Sequence, residues 1–325
     1  MSEAVRTLRG GEPVALPTET VYGLAADALR PDAVLKIFEA KERPHFDPLI
    51  VHLPDREWLE RVATVPDESR ALVETLIGRF WPGPLTLVLP RRSIVPDLVT
   101  SGLETVAVRM SAHPVFRAVI EQFASPLAAP SANRFGRISP TTAAHVRTEL
   151  DGRIPLILDG GPTEHGLEST IVQVDGPVLR ILRAGPVTAE MLTGCDPLVR
   201  RALEQSGSPL ATSDRPQAPG QLKSHYAPRT PMRLLEDEVG ETLPVSGRVG
   251  LLGWAPSCGE RSEVTQVEWL SETGDLREAA ATLFAKLRRL DEAGLDLIVA
   301  EPVPEHGLGI AIMDRLRKAA AEHVH

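Results

Sequence analysis

The sequence predicts an α/β protein with a large N-terminal unit, a linker and a small Rossmann-like parallel C-terminal domain. In residues 1–190, short runs rich in Val, Ile, Leu and Thr alternate with amphipathic helical patterns. A strand–helix–strand–helix order returns in residues 232–325, which favours a small parallel sheet. Between these regions, in residues 191–231, Ser, Pro, Gly, Gln and Asp become frequent and the periodicity is lost. We interpret that segment as the linker.

The N-terminal unit begins with a short strand at PVALP and a helix at PDAVLKIFEAKER, for which Asp32 is the expected N-cap. Lys41 lies in the last turn of this helix and Pro44 ends it. A buried strand at PLIVHL follows. Further strands are predicted at PLTLVLP, TVAVRM, PLAAPSAN, IPLILDGG, STIVQVD and VLRILRAG, with a helix at HPVFRAVIEQFA.

The C-terminal domain repeats the α/β order in a shorter form. We predict strands at RVGLLGW and LDLIVAEPV, and helices at DLREAAATLFAKLRRLDEAG and GLGIAIMDRLRKAA. Parallel strands joined by helices of this length are typical of Rossmann-like domains.

Composition narrows the class of protein. The formal net charge of −9 disfavours a broad basic surface for nucleic acid. Cys195 and Cys258 are far apart and lack partners at metal-ligand spacing, which predicts neither a disulfide framework nor a zinc site. The N-terminus does not resemble a signal peptide, and no apolar run has the length of a membrane helix. These observations predict a cytoplasmic protein with no membrane partner.

Cationic residues recur where elements end. Lys41 and Arg43 precede a buried strand, and Arg109 and Arg183 lie at the ends of two others. Loops at strand ends are where α/β proteins place binding sites. Hydroxyl and amide side chains lie in similar positions in PTETVYG, APSANRFGRISPT and GLEST. Each pattern alone also fits a solvated helix end, a turn cap or an ordinary loop, but together they suit the binding of carboxylates and phosphates.

Seven motifs in order resemble the YrdC-like family in its long two-domain form. They are LPTETVYGLAADA, KIFEAKERPHFDPLIVHL, FWPGPLTLVLP, TVAVRM, APSANRFGRISPT, GLESTIV and ILRAGP. The resemblance is dense up to residue 185 and resumes at APGQLKSHYAP and GLGIAIMDRLRKAA. It implies a catalytic domain built on a twisted mixed sheet, in residues 1–190, beside the Rossmann-like domain.

The resemblance also implies a nucleotidyltransferase reaction. L-threonine, bicarbonate and ATP give threonylcarbamoyl-AMP and pyrophosphate, for the threonylcarbamoyladenosine modification of tRNA. Mg²⁺ is expected to enter with ATP, and we expect neither a tightly bound cofactor nor a metal site formed by protein ligands. The product would pass to a tRNA threonylcarbamoyl transferase system, and only weak binding of tRNA or double-stranded RNA is expected.

The family motifs assign roles to residues of this chain. The implied catalytic residues are Lys41, Arg43, Ser131 and Asn133. The implied ATP-binding residues are Arg43, Asp47, Thr105, Ser131, Asn133, Ser139, Arg183 and Tyr226. The implied L-threonine-binding residues are Thr20, His52, Arg109, Ala129 and Ser169. The linker that carries Tyr226 is expected to act as a lid that keeps water from the labile intermediates.

This chain departs from the family pattern at three positions. Asp47 and Asp314 stand where asparagine is frequent, and Ser111 stands where proline is common. Two other functions remain as alternatives: a carbamoyl-transfer protein of hydrogenase maturation, and a non-catalytic RNA-binding module. The isolated cysteines count against the first, and the net charge of −9 counts against the second.

Overall fold

A computed structural model describes residues 1–206, 218–222, 225–235, 247–256 and 264–321 of the chain. In these ranges the chain forms a large mixed sheet and a separate parallel sheet, both packed against helices. The predicted α/β class is therefore confirmed. Within the same ranges, no helix combines the length and the apolar character needed to span a membrane.

The larger sheet has nine strands within the described residues. They are β1 (Val14–Leu16), β2 (Gly23–Asp27), β3 (Ile50–His52), β4 (Leu85–Pro90), β5 (Thr105–Arg109), β6 (Leu127–Ala128), β7 (Leu156–Ile157), β8 (Thr170–Asp175) and β9 (Val178–Arg183). Across the sheet their order is β7-β1-β2-β6-β3-β5-β4-β8-β9. The β1–β7, β3–β5 and β4–β8 pairs are parallel and the others are antiparallel.

Helices cover both faces of this sheet. They are α1 (Ser2–Arg9), α2 (Pro31–Lys41), α3 (Leu59–Val62), α4 (Asp67–Phe80), α5 (Asp97–Thr100), α6 (Pro114–Phe123), α7 (Ala143–Leu150), α8 (Ala189–Cys195) and α9 (Pro197–Glu204), with a 3-10 turn at Arg56–Trp58. Val14 and Leu16 pack in one core cluster with α1 and α6, whereas Ala15 joins the larger cluster with α2, α4, α7 and α9. Successive side chains of a strand point to opposite faces, so the two clusters lie on the two sides of the sheet.

The register of the strands brings the termini of several strands together at one end of the larger sheet. His52, at the end of β3, pairs with Arg109, at the end of β5. Thr170 begins β8 opposite Leu85 at the start of the parallel strand β4. Arg183, at the end of β9, lies beside the start of β8 because those two strands are antiparallel. Residues far apart in the chain therefore face one region.

The second sheet is parallel throughout its described part. Its strands are β10 (Met232–Leu234), β11 (Val249–Gly253), β12 (Gln266–Trp269) and β13 (Leu297–Ala300), in the order β10-β13-β11-β12. Helices α10 (Leu276–Glu292) and α11 (Leu308–Ala320) pack on it. Asp275 caps α10 by accepting hydrogen bonds from two backbone N–H groups of its first turn.

A shared apolar core joins the two sheets. Val21, Ile138 and Leu167 of the N-terminal unit belong to the same buried cluster as Phe284 of α10. Tyr226 of the connecting segment is part of that cluster as well. Burial of apolar area contributes roughly 25 cal/mol per Å², so this cluster favours a fixed arrangement of the two units and of the segment between them.

Two local predictions need correction. Arg30, not Asp32, is the N-cap of α2, and the Asp32 carboxylate pairs instead with the Arg30 guanidinium at 2.5 Å. Pro31 takes the first helical position, where its fixed φ angle suits a helix start. The segment predicted as a linker also contains helix α9, whose Val199 and Ala202 are buried. The abundance of Ser, Pro and Gly over the whole segment obscured that short apolar stripe.

Candidate active site

A cavity lies at the end of the larger sheet where these strand termini meet. Its wall comes from the β1–β2 turn, the ends of β3, β5 and β9, and the segments after β6 and before β8. Parts of the connecting segment, residues 219–220 and 225–226, cover it. The predicted site residues that line the cavity are Thr20, Arg43, His52, Arg109, Ala129, Ser131, Ser169, Arg183 and Tyr226.

Lys41 lies behind this wall, at the end of α2. Its buried ammonium donates hydrogen bonds to the carbonyl oxygens of Ser131, at 2.5 Å, and of Asn133. Burial, followed by the charge of Arg43, holds the pKa of Lys41 well below its ordinary value. A bound anion would raise that pKa again, so Lys41 both anchors the Ser-x-Asn loop and responds to charge in the cavity.

Arg43 lines the cavity, and its guanidinium forms an ion pair with the Asp47 carboxylate. The Arg43 Nη2 atom lies 2.8 Å from Asp47 Oδ2, but the angles do not form a hydrogen bond, and both Asp47 oxygens accept none. The Arg43 guanidinium instead donates to the carbonyl oxygens of Asp47 and Pro48. Burial raises the pKa of Asp47, against the opposing effect of Arg43. This pair is therefore an ion pair without the hydrogen bonds that would fully stabilise it.

Arg109 is held by a second buried carboxylate. It donates to Glu19 Oε1 at 2.7 Å, to the Thr20 hydroxyl at 3.1 Å and to the Gly83 carbonyl at 3.2 Å. The Ser111 hydroxyl donates to the other Glu19 oxygen at 2.5 Å. Burial alone would raise the pKa of Glu19, but Arg109 and the hydrogen bond from Ser111 outweigh burial and lower that pKa to about 2.

Arg183 contacts oxygen atoms but no carboxylate among the described residues. It donates to the Ser169 carbonyl, the Ser169 hydroxyl and the Pro219 carbonyl, each at 3.1 Å. The Ser169 hydroxyl also shares a hydrogen bond of 2.8 Å with Thr86. Arg183 therefore links the wall of the cavity to its cover and forms no ion pair within the described residues.

The remaining predicted residues lie at different distances from the cavity. The Asn133 amide donates to the carbonyl oxygens of Arg134 and Arg137 and so fixes the loop after β6. The Ser139 hydroxyl donates to Glu168, which lines the cavity. Thr105 lies at the start of β5, about 13 Å along the strand from Arg109 at the usual rise of a strand. The structure thus does not bring Thr105 into this cavity.

His52 and Ala129 form a less polar part of the wall. The His52 ring is buried against Phe116, with 4.7 Å between ring centroids. Burial, together with the charge of Arg109, lowers the pKa of His52 to about 3, so the ring is neutral near pH 7. Its Nδ1 atom has no hydrogen-bond partner in the described part of the chain, which leaves that atom available to a polar ligand group.

Tyr226 closes the cavity from the connecting segment. Its ring stacks on Phe284 at 5.6 Å and lies under the Arg315 guanidinium at 5.4 Å. Its backbone has φ = 65°, a left-handed conformation that costs a non-glycine residue about 1–2 kcal/mol. Lys318 of α11 also donates to the Gly220 carbonyl at 2.7 Å. The cover is therefore held from the C-terminal domain. Lys223, in the same motif, lies outside the described residues.

Comparisons with known proteins identify the family of the chain. A family model for the Sua5/YciO/YrdC group, described as telomere recombination, matches residues 6–185. The chain belongs to the Sua5/YciO/YrdC family. A second family model, described as the C-terminal domain of threonylcarbamoyl-AMP synthase, matches residues 187–321.

Relatives in the Sua5/YciO/YrdC family match almost the whole chain. A Bacillus subtilis protein named threonylcarbamoyl-AMP synthase is 42% identical over 337 residues, covering 100% of this chain and 94% of that protein. A Pyrococcus abyssi protein of the same name is 41% identical over 329 residues, covering 98% and 93%. The crystal structure of P. abyssi Sua5 complexed with L-threonine has a TM-score of 0.83 at 40% identity, covering 98% of this chain and 93% of that one.

Two acidic residues of the Sua5-like site were not predicted from the sequence. Glu168 lines the cavity and Glu19 binds Arg109, and both lie in motifs of the predicted site, GLEST and PTETVYG. A usable signal was the presence of one Glu in each motif together with a surplus of buried cations.

The balance of buried charge shows what this Sua5-like cavity can bind. Among the described residues, Arg43 pairs with Asp47 and Arg109 pairs with Glu19. Lys41 and Arg183 form no ion pair within the described ranges and both are buried. A buried amino or guanidinium group that is not directly paired with a carboxylate favours an anionic ligand, because few waters compete for it. The arrangement is suited to a substrate that carries several negative charges.

Proposed function

We propose that this chain is an L-threonylcarbamoyladenylate synthase, which makes threonylcarbamoyl-AMP and pyrophosphate from L-threonine, bicarbonate and ATP. The observation that carries the proposal is the convergence of Arg43, Arg109 and Arg183 on one covered cavity, with Lys41 directly behind it. Full-length relatives named threonylcarbamoyl-AMP synthase support it. Because these relatives match both domains, they also favour it over the carbamoyl-transfer and RNA-binding alternatives.

The L-threonine pocket is proposed at the end of β5. Arg109 keeps guanidinium N–H groups beyond those given to Glu19, Thr20 and Gly83, and these would bind the substrate carboxylate. The neutral His52 ring offers Nδ1 to a substrate hydroxyl. The P. abyssi structure, which is described as complexed with L-threonine, supports a threonine site in this fold.

The phosphate site is proposed between Lys41, Arg43 and Arg183. A triphosphate, entering as its Mg²⁺ complex, supplies the negative charge that Lys41 and Arg183 lack within the described structure. Asp47 opposes part of the charge of Arg43, so binding of phosphate would partly replace the Arg43–Asp47 ion pair. The loop with Ser131 and Asn133, fixed by Lys41, offers further polar groups to the nucleotide.

The chemistry follows from placing these two pockets side by side. The amine of threonine attacks the carbon of bicarbonate, water leaves, and a carbamate forms. A carbamate oxygen then attacks the α-phosphorus of ATP, the bond from that phosphorus to the β-bridging oxygen breaks, and pyrophosphate leaves. Lys41, Arg43 and Arg183 would stabilise negative charge as it redistributes over the phosphates. Most of the rate gain would come from positioning and electrostatics, as in other phosphoryl-group transfers.

The proposal extends to the fate of the product. We expect threonylcarbamoyl-AMP to pass to a tRNA threonylcarbamoyl transferase system in the cytoplasm, with only weak binding of tRNA or double-stranded RNA by this chain. The cover over the cavity, which includes Tyr226, would protect the carbamate and the adenylate from water before transfer.

Pyrophosphate release tests the function directly. Wild-type protein is supplied with ATP, threonine and bicarbonate together, and then with each omitted in turn. We expect release to need all three, and to fall by at least ~100-fold in Lys41→Ala and Arg43→Ala. Arg180→Ala is the matched control, because Arg180 lies on β9 and pairs with Asp175 at the surface. Release that does not depend on threonine would rule out the proposed function.

A further inference from the structure

Arg315 is a buried cation of the C-terminal domain that reaches into the catalytic unit. It lies on α11 and is 1% exposed. Its Nε atom donates to Glu168 Oε2 at 3.1 Å, and its Nη1 atom donates to the Ala184 carbonyl at 2.8 Å and to Asp314 at 3.0 Å. Two of its three partners therefore belong to the catalytic unit.

Glu168 extends this contact into the cavity wall. Its second oxygen accepts a hydrogen bond from the Ser139 hydroxyl, and the residue lines the cavity beside Ser169 and Arg183. A carboxylate that is held at both oxygens has little freedom to rotate. The orientation of the Ser139 hydroxyl, which belongs to the proposed ATP side, is thus set through Glu168 by a guanidinium on the other domain.

The same guanidinium supports the cover of the cavity. It lies 5.4 Å from the centre of the Tyr226 ring, on which Phe284 stacks separately. Asp314 pairs with Arg315 at 3.0 Å and with Lys318 at 2.8 Å, and Lys318 in turn donates to Gly220 in the cover. Arg315 therefore contacts groups on both the wall and the cover, and through them it reaches Ser139 and Tyr226, which are both assigned to ATP binding.

From these contacts we propose that Arg315 is a positioning residue for the reaction, acting on ATP through Glu168 and Tyr226. This inference rests on the proposed function. A role limited to holding the domains together would need no buried charge, because well-packed apolar side chains stabilise such a contact equally well. If Arg315 positions ATP, its loss should weaken ATP binding more than threonine binding. Arg109 of the threonine pocket is instead held by Glu19, which lies within the catalytic unit.

The test compares Arg315→Met, Arg315→Lys and Glu168→Gln with the wild type. Arg317→Met is the matched control, since Arg317 lies on the same helix and pairs with Glu305 at the surface. Steady-state pyrophosphate release gives kcat and KM for each substrate. Calorimetric titrations with threonine and with α,β-methylene-ATP give dissociation constants that do not depend on turnover.

For Arg315→Met we expect kcat/KM for ATP to fall on the order of tenfold, with a similar rise in the dissociation constant of α,β-methylene-ATP. The dissociation constant of threonine should change less than twofold. Glu168→Gln should give the same asymmetry, and combining it with Arg315→Met should add little further loss, because both act through one contact. If Arg315→Met does not fold, Arg315→Lys and Glu168→Gln decide the outcome.

Three results would overturn the inference. Equal losses for threonine and ATP, unchanged kinetics with only a lower unfolding midpoint, or fully additive effects of the two substitutions would each indicate a purely structural contact. A wild-type protein that releases no pyrophosphate with all three substrates would instead overturn the proposed function, and this inference with it. The two failures are therefore distinguishable.

Discussion

At the scale of single residues, buried charge is the feature that governs this site. Glu19, Asp47 and Glu168 each oppose an arginine at or beside the cavity. Breaking a buried ion pair costs several kcal/mol when one charge remains unpaired, about 3–5 kcal/mol in typical cases. The carboxylates thus keep a cation-rich cavity stable before substrate arrives, and they limit how much positive charge the substrate meets.

The lowered pKa of His52 predicts that the stability of the protein depends on pH. Its pKa is lowered to about 3 in the folded protein, mainly by burial, against 6.5 as its ordinary value. As the pH falls below 6.5 the unfolded state binds a proton that the folded state does not, so folding loses free energy until about pH 3. Between pH 7.5 and pH 5 the wild type should lose about 2 kcal/mol more than His52→Gln.

Denaturant titrations at both pH values measure this difference. The other histidines are present in both proteins and cancel in the comparison. Equal losses in the two proteins would show that His52 is not held neutral by its surroundings.

Asp47 predicts an effect on ATP affinity, because its carboxylate opposes Arg43 at 2.8 Å. We expect Asp47→Asn to lower the KM for ATP several-fold, on the order of 1 kcal/mol. Asp175→Asn, at the exposed pair with Arg180, is the control. A higher KM for ATP would mean that Asp47 contacts the substrate complex itself.

At the scale of elements, the site depends on where strands end and on the segment that covers them. The last residues of β3, β5 and β9 lie together at one end of the sheet, and residues 219–220 and 225–226 cover them. The cover carries local backbone strain at Tyr226, with φ = 65°. Packing against Phe284 and Arg315 offsets that strain, so the position of Tyr226 over the cavity depends on helices α10 and α11.

The cover over the cavity predicts how much threonylcarbamoyl-AMP is lost to hydrolysis before release. Tyr226→Ala removes the ring that closes the cavity, and water should then hydrolyse more of the carbamate and adenylate before release. We expect the ratio of threonylcarbamoyl-AMP to pyrophosphate to fall in Tyr226→Ala and to stay close to the wild type in Tyr226→Phe. Chromatographic quantification of both products measures the ratio. A lower rate at an unchanged ratio would assign Tyr226 to ATP binding alone.

At the scale of the whole molecule, the C-terminal domain forms part of the catalytic unit's environment. Within the described residues, the two units share an apolar cluster and the buried cross-domain ion pairs Arg288–Glu149 and Arg315–Glu168. At Gly166 the two units are in close backbone contact, since a Cβ atom added there would lie 2.4 Å from the Ala280 carbonyl oxygen of α10. Only a residue without a side chain fits between the domains at this point.

The close contact at Gly166 therefore predicts how much the interface contributes to the stability of the protein. Gly166→Ala should destabilise the protein by roughly 2–5 kcal/mol, from left-handed strain plus the clash with α10, and should lower activity as the domains separate. Gly152→Ala is the matched control, because Gly152 has a similar φ of 71° but open space around its Cβ position. It should cost only about 1–2 kcal/mol. Equal unfolding midpoints for the two variants would contradict a tight interface.

The sequence by itself determined the elements with strong local patterns and the chemistry of the site. Helices α2, α6, α10 and α11 and strands β3, β4, β5, β8 and β9 follow directly from apolar periodicity, and the cations and hydroxyls were visible in their motifs. Strands β6 and β7 lie within the predicted runs PLAAPSAN and IPLILDGG, although each has only two residues. Strand β2 was not predicted, because its sequence GLAAD lacks β-branched residues and its place depends on pairing with β1 and β6.

Only the tertiary structure decided which charges neutralise one another. Arg109 meets Glu19 across 90 residues, and Arg315 meets Glu168 across 147 residues and a domain boundary. Local propensity acts within a single element, whereas these pairs form because sheet register and domain packing bring distant residues into one dry region. In that region an ion pair offsets part of the cost of burying a charge. The sequence therefore indicated an anion site, and the fold decided which cations remain free to bind the anion.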